Sequence, residues 1–218
     1  MFASFAQNLI DFIFPKSEEV HHLESLSAGE LTEKLSKAGE IESEDLIVLF
    51  DYKDPMVKTL IWELKYKGNR KIAQKFAEIL IDVLQHELAE RILFDNFINP
   101  LLIPVPVSNK RRRERGWNQV EILAEEIMKL NIEKLFEYSP KILIKHVHTD
   151  SQARTHATKQ ERINNLQNSM SVQNETYVRG RNIILLDDVT TSGVTLTEAK
   201  RVLKESGVKK ILCVALAH

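Results

Sequence analysis

Residues 183–195 read Ile-Ile-Leu-Leu-Asp-Asp-Val-Thr-Thr-Ser-Gly-Val-Thr, and this stretch largely determines which fold the sequence predicts. The four apolar residues at its start predict a strand buried on both faces, as in parallel sheets. Two adjacent carboxylates, Asp187 and Asp188, follow at the carboxyl end of that strand. Small and hydroxyl-bearing residues then lead into a helix predicted over 195–205, which gives the order strand, acid pair, loop, helix.

The end of this strand has the composition of a phosphate-binding site. Ligands of open α/β sheets bind at the carboxyl ends of the strands. Small residues let backbone N–H groups approach an anion, and the start of the next helix adds a partial positive charge. The hydroxyls of Thr190–Thr195 supply further donors. The sequence therefore predicts a loop for a phosphate monoester, while Asp187 and Asp188 suit sugar hydroxyls or a Mg²⁺ ion that also touches the sugar phosphate.

Three other interpretations of the same stretch compete with the phosphate loop. A Walker B strand requires Gly-x-x-x-x-Gly-Lys-Ser/Thr elsewhere, and none of the seven glycines fits that pattern. A haloacid-dehalogenase motif requires the second acid two residues after the first, where Val189 stands. A purely structural strand and helix would explain Thr191 or Ser192 as a helix cap. It leaves two acids at a strand end unexplained, so the phosphate loop is favoured.

Strands and helices alternate along the chain from residue 46 onward. Apolar and amphipathic runs predict strands at 46–50, 101–107, 141–147, 182–189 and 210–217, and helices at 28–37, 54–65, 71–93, 117–130 and 195–205. This alternation predicts an α/β fold with a mainly parallel sheet flanked by helices. Residues 1–45 are expected to form a short N-terminal helical appendage with a polar linker, and residues 46–218 the main domain.

The N-terminal run is apolar at helical spacing, with Phe2, Phe5, Leu9 and Phe12 on one side. We expect an amphipathic helix docked on its own domain, with a membrane or partner helix as the alternative. The run is too short to span a bilayer and has no basic start or cleavage site, so neither a membrane span nor a signal peptide is expected.

The composition bounds the class of protein. The chain has 218 residues, of which 43% are hydrophobic and 28% charged, with a net charge of −1, the balance of a soluble globular protein. The single cysteine, Cys213, excludes an intramolecular disulfide and any zinc site with two or more cysteines. We therefore expect a cytoplasmic protein. Because the net charge is near zero, a nucleic-acid contact would require a local basic patch.

Such a patch follows the strand predicted at 101–107. Five of the six residues 110–115 are basic, Gly116 allows a tight turn, and Asn118 can cap the next helix. We expect a basic loop between strand and helix, where guanidinium groups bind phosphate oxygens bidentately. One interpretation is a pyrophosphate site made by Val107, Ser108, Arg115 and Asn118. The other is a solvated patch that contacts nucleic acid through Lys110, Arg111, Arg112, Arg113 and Trp117, whose indole would stack on a base.

The 183–195 stretch resembles the phosphoribosyl-pyrophosphate (PRPP) motif of the type I phosphoribosyltransferases. The resemblance implies the type I phosphoribosyltransferase fold, with PRPP and Mg²⁺ as ligands. It also implies that Asp187 and Asp188, which are possible Mg²⁺ ligands, hold the ribose hydroxyls. The 5′-phosphate would then be cradled by Thr190, Thr191, Ser192, Gly193, Val194 and Thr195.

The chain resembles the ComF family (ComFC/GntX-like proteins) in the order of its motifs. These are Pro-Val-Pro, Arg-Arg, Arg-Gly-Trp-Asn-Gln and then the PRPP motif. Leu64-Lys-Tyr-Lys-Gly68 and Phe12-Ile-Phe-Pro15 also resemble family segments, as do Gln152, Glu161-Arg162 and Asn165. The resemblance implies a role in competence and DNA import. Its implied partners are single-stranded DNA, bound through 110–117, and a DNA-uptake helicase machinery, with a homodimer as one possible assembly.

One departure from this family is large. Its members commonly carry a four-cysteine zinc module just after the first helix, whereas residues 16–45 contain no cysteine and only His21 and His22 as soft ligands. Those two are adjacent and expected to face solvent. We therefore expect no zinc, which puts in doubt any partner contact that depends on that module.

The polar segment 148–165 contains Gln152, Arg154 and Arg162. The resemblance implies a mobile loop that closes over the reaction centre and excludes water; an ordinary surface loop is the alternative.

The sequence leaves two functions open. One is phosphoribosyl transfer to an unknown acceptor with release of pyrophosphate, in nucleotide metabolism, with the acceptor contacted by residues 46–70 or 1–45. The other is a DNA-uptake accessory protein for which PRPP is a ligand or signal.

Overall fold

The structure is a computed structural model that describes residues 17–40, 43–146 and 169–218. Its main sheet has the strand order β1-β7-β6-β2-β3, and all four pairings are parallel. The bounds are β1 Leu46–Phe50, β2 Leu101–Pro104, β3 Glu137–Tyr138, β6 Asn182–Val189 and β7 Lys210–Ala217. The α/β fold with a mainly parallel sheet flanked by helices, predicted from the sequence, is confirmed.

Helices cover both faces of this sheet. Their bounds are α1 Glu18–Ser25, α2 Ala28–Lys34, α3 Pro55–Trp62, α4 Arg70–Asp95, α5 Asn109–Arg115, α6 Gln119–Leu130, α7 Glu175–Val178 and α8 Val194–Glu205. A π-helical turn, Glu63–Lys67, joins α3 to α4. Within the described ranges, no helix has both the length and the apolar character needed to cross a membrane.

The central strand β6 contributes to two apolar cores, because successive residues of a strand point to opposite faces. Ile184 and Leu186 pack in the core on the side of α4 and α6. Ile183 and Leu185 pack in the core on the side of α8. With both faces covered by helices, the strand is an apolar run up to its final residues, as its sequence indicates.

A second, two-stranded sheet holds β4 Leu143–Lys145 antiparallel to β5 Met170–Val172. The strand predicted at 141–147 is thus part of this second sheet and not of the parallel one. Within the described part of that run only Ile142, Leu143 and Ile144 are apolar. So short an apolar stretch does not supply the two buried faces that a central strand needs.

The segment 17–40 carries more structure than the sequence suggested. No helix was predicted over α1, yet its Leu23 packs into the main core together with Leu31 and Leu35. The second helix, predicted over 28–37, ends at Lys34 because Leu35 is extended and Lys37 forms an antiparallel bridge with Phe50. The division at residue 45 stays a prediction, and the N-terminal apolar run lies outside the described residues.

Candidate ligand-binding cleft

The acid pair lies among the last three residues of β6, and Asp187 is paired with Ala215 of β7. Both carboxylates are almost fully buried, with exposed fractions of 7% for Asp187 and 4% for Asp188. The Asp188 backbone N–H donates to Oδ1 of Asp187 over 2.9 Å, and the Val189 N–H donates to Oδ1 of Asp188 over 2.8 Å. These bonds fix both carboxylates at the carboxyl edge of the central strand.

Two side chains from other elements contact Asp188. The ammonium of Lys65, in the π-helical turn, lies 3.1 Å from Oδ2. The amide of Gln119, the first residue of α6, donates to the same oxygen over 2.8 Å. Sequence reasoning assigned neither residue a role. The signal that could have found them is the sequence around them, since both lie in segments that resemble the ComF family.

The surroundings of Asp187 favour its protonated form. Burial raises the pKa of its carboxyl well above the usual 3.8, and the negative charge of Asp188 raises that pKa further. The Asp188 backbone N–H and the positive charge of Lys65 act in the opposite direction. The net result is an acid pair that gains from any additional positive charge brought to it.

The turn after the acid pair is built around glycine. Gly193 has a φ of 70° and forms the N-cap of α8 without any side-chain hydrogen bond. The alternative that Thr191 or Ser192 caps this helix is therefore wrong. Nothing lies within 4 Å of an added Cβ at Gly193, so the position requires glycine for its backbone angle rather than for space.

The hydroxyl residues of this turn divide into two groups. Thr190 is buried, and its backbone N–H donates to the Ala217 carbonyl over 2.9 Å, which holds the turn against β7. Thr191 and Thr195 line a cleft in front of the acid pair. The sequence predicted that these two residues bind a phosphate, and that role stays a prediction.

The basic run after β2 is a helix, so the predicted basic loop is wrong. Ser108 caps the start of α5 by accepting from the Arg111 N–H over 3.4 Å. Gly116 ends the helix with a φ of 84° and donates its N–H to the Arg112 carbonyl. A serine N-cap and a glycine at the carboxyl end stabilise a helix of about two turns that carries long basic side chains. The strand predicted up to Val107 ends at Pro104.

The helix sorts the basic residues. Arg111 and Arg115 line the cleft, and Arg115 Nη1 donates to Oε1 of Gln119 over 3.2 Å. Arg112 turns away and forms a two-bond ion pair with Glu121 at 3.0 and 2.9 Å. Lys110 and Arg113 are exposed. Because the run is helical, Arg111 and Arg115, four residues apart, face the cleft, whereas Arg112 and Arg113 face solvent.

Asn118, at the start of α6, lies in the interior of the protein. Asn118 uses its side-chain oxygen to cap α6 at the Val120 N–H, and its amide donates to the Val105 carbonyl. Of the four residues predicted for pyrophosphate, the cleft is lined by Val107, Ser108 and Arg115, whereas Asn118 acts as a buried cap.

The Trp117 indole is half-buried and packs on the main core. An added Cβ at Gly68 would lie only 3.0 Å from Cε2 of this indole, so the ring covers the end of the π-helical turn. The face of the ring against Gly68 is therefore closed to a nucleobase. The stacking role assigned to Trp117 stays a prediction, now restricted to the remaining surface of the ring.

The acid pair and the side chains that face it line one cleft of about 490 Å³. It opens where β6 adjoins β2, the point at which the chain continues to opposite sides of the sheet, and ligands of α/β proteins bind at such points. Its lining combines the acid pair with Thr191, Thr195, Ser108, Arg111, Arg115, Lys65, and Lys145 from the small sheet. The predicted loop residues Gln152, Arg154 and Arg162 lie outside the described residues.

Comparison with known proteins gives three findings. A family model described as phosphoribosyl transferase domain matches residues 120–218. Competence protein ComFC of Bacillus subtilis is 28% identical over 159 residues, which cover 73% of this chain and 58% of that protein. Competence protein F of Haemophilus influenzae is 28% identical over 176 residues, which cover 79% of this chain and 72% of that protein. The chain thus spans less than two thirds of the length of the ComFC relative.

Residues 120–218 thus match a phosphoribosyl transferase domain, and the described part of the chain folds as a parallel sheet flanked by helices. Competence proteins of the ComF kind are similar to about three quarters of its length, which supports the resemblance to the ComF-like family. The DNA utilization protein YhgH of Shigella flexneri is similar as well, at 27% identity over 182 residues, which cover 76% of this chain and 68% of that protein. The family resemblance stated from the sequence is confirmed.

Proposed function

We propose that this cleft binds PRPP and that the protein transfers the phosphoribosyl group to an acceptor with release of pyrophosphate. The ribose hydroxyls bind Asp187 and Asp188, and the 5′-phosphate binds the turn 190–195. The pyrophosphate binds near Ser108 and Arg115. The observation that carries this proposal is that buried carboxylates, threonine hydroxyls and arginines from three separate chain segments line one cleft.

The charges of the cleft suit the transfer step. In that step the acceptor nucleophile forms a bond to the anomeric carbon, while the bond from this carbon to the pyrophosphate oxygen breaks. The pyrophosphate leaves with the electron pair, and the acceptor's proton passes to solvent or to the leaving group. Arg111 and Arg115 stabilise the negative charge that develops on the leaving oxygen. The rest of the cleft contributes by holding both reactants in position.

The residues present fit a magnesium ion that arrives with PRPP. Mg²⁺ is usually bound by one or two carboxylates together with substrate phosphates. Asp187 and Asp188 supply such carboxylates, and the raised pKa of Asp187 indicates a site that favours added positive charge. No group of three or more acidic, histidine or cysteine side chains forms a metal site in the ranges 17–40, 43–146 and 169–218. The ion would therefore take ligands both from this acid pair and from the sugar phosphate, and it would reduce the negative charge of the sugar phosphate.

A second function is favoured by the basic surface beside the cleft and by the relatives. Lys110 and Arg113 are exposed next to the cleft arginines, and the similar proteins are named for competence and DNA utilization. In this alternative the chain is an accessory protein of DNA uptake that binds single-stranded DNA and responds to PRPP. A helicase partner and a homodimer belong to the same proposal.

Thermal unfolding with and without PRPP plus Mg²⁺ tests the main proposal. At a PRPP concentration of about 100 times the dissociation constant, binding adds about 2.7 kcal/mol of stability. For a chain of this length that raises the melting temperature by roughly 5–10 °C. The shift should disappear in Asp187→Asn/Asp188→Asn and persist in Asp82→Asn, a matched change of an exposed aspartate on α4. A wild-type protein without any shift would rule out PRPP binding in both functions.

Single-strand binding is tested separately from PRPP binding. The affinity for a labelled oligonucleotide should fall steeply with salt, because binding releases counterions from the phosphates. Charge reversal of Arg111 and Arg113 should abolish it. Binding that is insensitive to salt and to both reversals would exclude the DNA function through this surface.

A further inference from the structure

Two aromatic side chains stand exposed at the mouth of the cleft. Trp62 and Tyr66 each retain 50% of their accessible surface, and both line the cleft. Their ring centroids are 5.4 Å apart with an interplanar angle of 36°. Single exposed apolar residues are common on protein surfaces. Two adjacent aromatic rings that border a polar cleft are a less common arrangement and indicate a contact surface for a ligand.

Trp62 is the last residue of α3 and Tyr66 lies in the π-helical turn that follows, which is held in place by a buried polar network. Lys67 and Glu63 form an ion pair at 3.3 Å, and both are buried. The amide of Asn69 donates to Glu63 over 3.1 Å and to Glu24 of α1 over 2.6 Å. On the opposite side, Gly68 packs closely against the Trp117 indole. The aromatic rings are thus presented by a fixed support, and π-helical turns of this kind frequently occur at functional sites.

The aromatic pair is connected to the acid pair by direct contacts. The Arg115 guanidinium lies 4.7 Å from the centroid of the Tyr66 ring, in cation–π geometry. Arg115 donates to Gln119, and Gln119 donates to Asp188. Lys65, next to Tyr66 in the sequence, contacts the same aspartate. A ligand on the aromatic rings would therefore lie beside both the cations and the ribose site.

We propose that Trp62 and Tyr66 form a stacking subsite for a nucleobase at the mouth of the cleft. A flat heterocycle offers a π-face to both rings, and the cation beside Tyr66 is suited to an electron-rich base. The inference deepens the proposed function and rests on it for the position of the ribose. The base comes from one of two sources, a free base that accepts the phosphoribosyl group or a base carried by a single strand.

Trp62 fluorescence reports on this subsite directly. The chain has two tryptophans, so Trp62→Phe identifies the part of the signal that comes from Trp62. One arm titrates free purine and pyrimidine bases in the presence of PRPP and Mg²⁺. The other arm titrates an unlabelled oligonucleotide of about 15 nucleotides. We expect at least one arm to quench the Trp62 signal. Quenching by free bases identifies the acceptor, and quenching by the oligonucleotide identifies the single strand.

Two pairs of variants separate stacking from other effects. Affinity for the quenching ligand, measured by calorimetry, should fall about tenfold in Trp62→Ala and in Tyr66→Ala, as expected for the loss of one stacked ring. It should stay within about threefold in Trp62→Phe and Tyr66→Phe, which keep a flat ring. Unchanged affinity in both alanine variants, or no quenching in either arm, would overturn the subsite.

The PRPP-dependent thermal shift shows whether the stacking subsite or PRPP binding itself has failed. Both Trp62 variants should retain the shift, since they leave the acid pair, the hydroxyl turn and the contact of Arg115 with Tyr66 intact. If the wild type shows no PRPP shift but Trp62→Ala loses oligonucleotide binding, PRPP binding is refuted and the stacking subsite stands. If the shift is present and neither ligand is affected by the variants, the subsite is refuted and PRPP binding stands.

Discussion

The ammonium of Lys65 lies 3.1 Å from Oδ2 of Asp188, so a turn between two helices places a positive charge on the acid pair of the central strand. Lys65 is separated from Asp188 by more than 120 residues of sequence. Its side chain is only 20% exposed, which weakens the screening of this ion pair by water and salt. The pair links the π-helical turn, which carries Tyr66 and directly follows Trp62, to the proposed ribose site.

Replacing Lys65 should change the pH dependence of PRPP binding. The Lys65 charge lowers the pKa of Asp187, so in Lys65→Met that pKa rises further and the ionised carboxyl needed for binding forms only at higher pH. The midpoint pH of the PRPP-dependent thermal shift, measured with Mg²⁺ from pH 5 to 8, should therefore move upward. Lys58→Met, at an exposed lysine that also lines the cleft, should leave the midpoint in place. An identical pH profile in Lys65→Met would contradict the role given to Lys65.

Asp187 should cost the protein stability at neutral pH. Its pKa is raised in the folded state, so the native protein binds the proton more tightly than the unfolded chain and the unfolding free energy falls as pH rises above about 4. Asp187→Asn removes this penalty, which amounts to about 1.4 kcal/mol for each pKa unit of elevation. Its melting temperature should exceed that of the wild type at pH 7.5 and approach it near pH 4. A variant less stable than the wild type at pH 7.5 would refute the raised pKa.

Gly193→Ala should destabilise the hydroxyl turn through its backbone alone. The φ of 70° costs an alanine about 1–2 kcal/mol, and no neighbouring atom adds a clash. Urea denaturation should show this loss in the free energy of unfolding, together with a weaker PRPP-dependent shift. Gly29→Ala is the matched control, because Gly29 lies in α2 with equal space around it, and there alanine should be neutral or stabilising by up to about 1 kcal/mol. Equal effects at both positions would show that the turn does not depend on its left-handed glycine.

Arg115 and Arg112 should differ in their effects on PRPP binding although both belong to α5. Arg115 lines the cleft, whereas Arg112 is paired with Glu121 at the surface. Loss of a charge-assisted bond to pyrophosphate should weaken PRPP binding about tenfold in Arg115→Ala. Arg112→Ala should change it by less than about twofold, since an exposed ion pair contributes little. Calorimetry with PRPP and Mg²⁺ measures the affinity of both variants. A similar loss of affinity in the two would mean that PRPP binding depends on the net positive charge of α5 and not on the position of Arg115.

The sequence predicted best those strands that are buried on both faces. The bounds of β6 and β7 agree with the apolar runs at 182–189 and 210–217, because a strand covered on both faces is apolar almost throughout. The position of the acid pair at the carboxyl end of β6 follows from the same run. The acid pair and the hydroxyl turn of the candidate site were therefore predictable.

The parts that were missed depend on caps and on distant contacts. The basic run was expected to be a loop, although Ser108 and Gly116 cap a helix of about two turns there. No spacing rule places Lys65 or Gln119 beside Asp188, since their contacts arise only when three segments meet at one sheet edge. The exposure of Trp62 and Tyr66 likewise depends on how the π-helical turn packs, so the sequence directed attention to Trp117 instead.

Whether PRPP binds at the acid pair is decided by calorimetric titration of the full chain with PRPP in the presence of Mg²⁺. We expect one PRPP per chain for the wild type and for Asp82→Asn, and no heat of binding for Asp187→Asn/Asp188→Asn. A melting curve of the double variant confirms that it is folded. Binding by the double variant with wild-type stoichiometry and affinity, or no binding by the wild type, would contradict the assignment of this cleft.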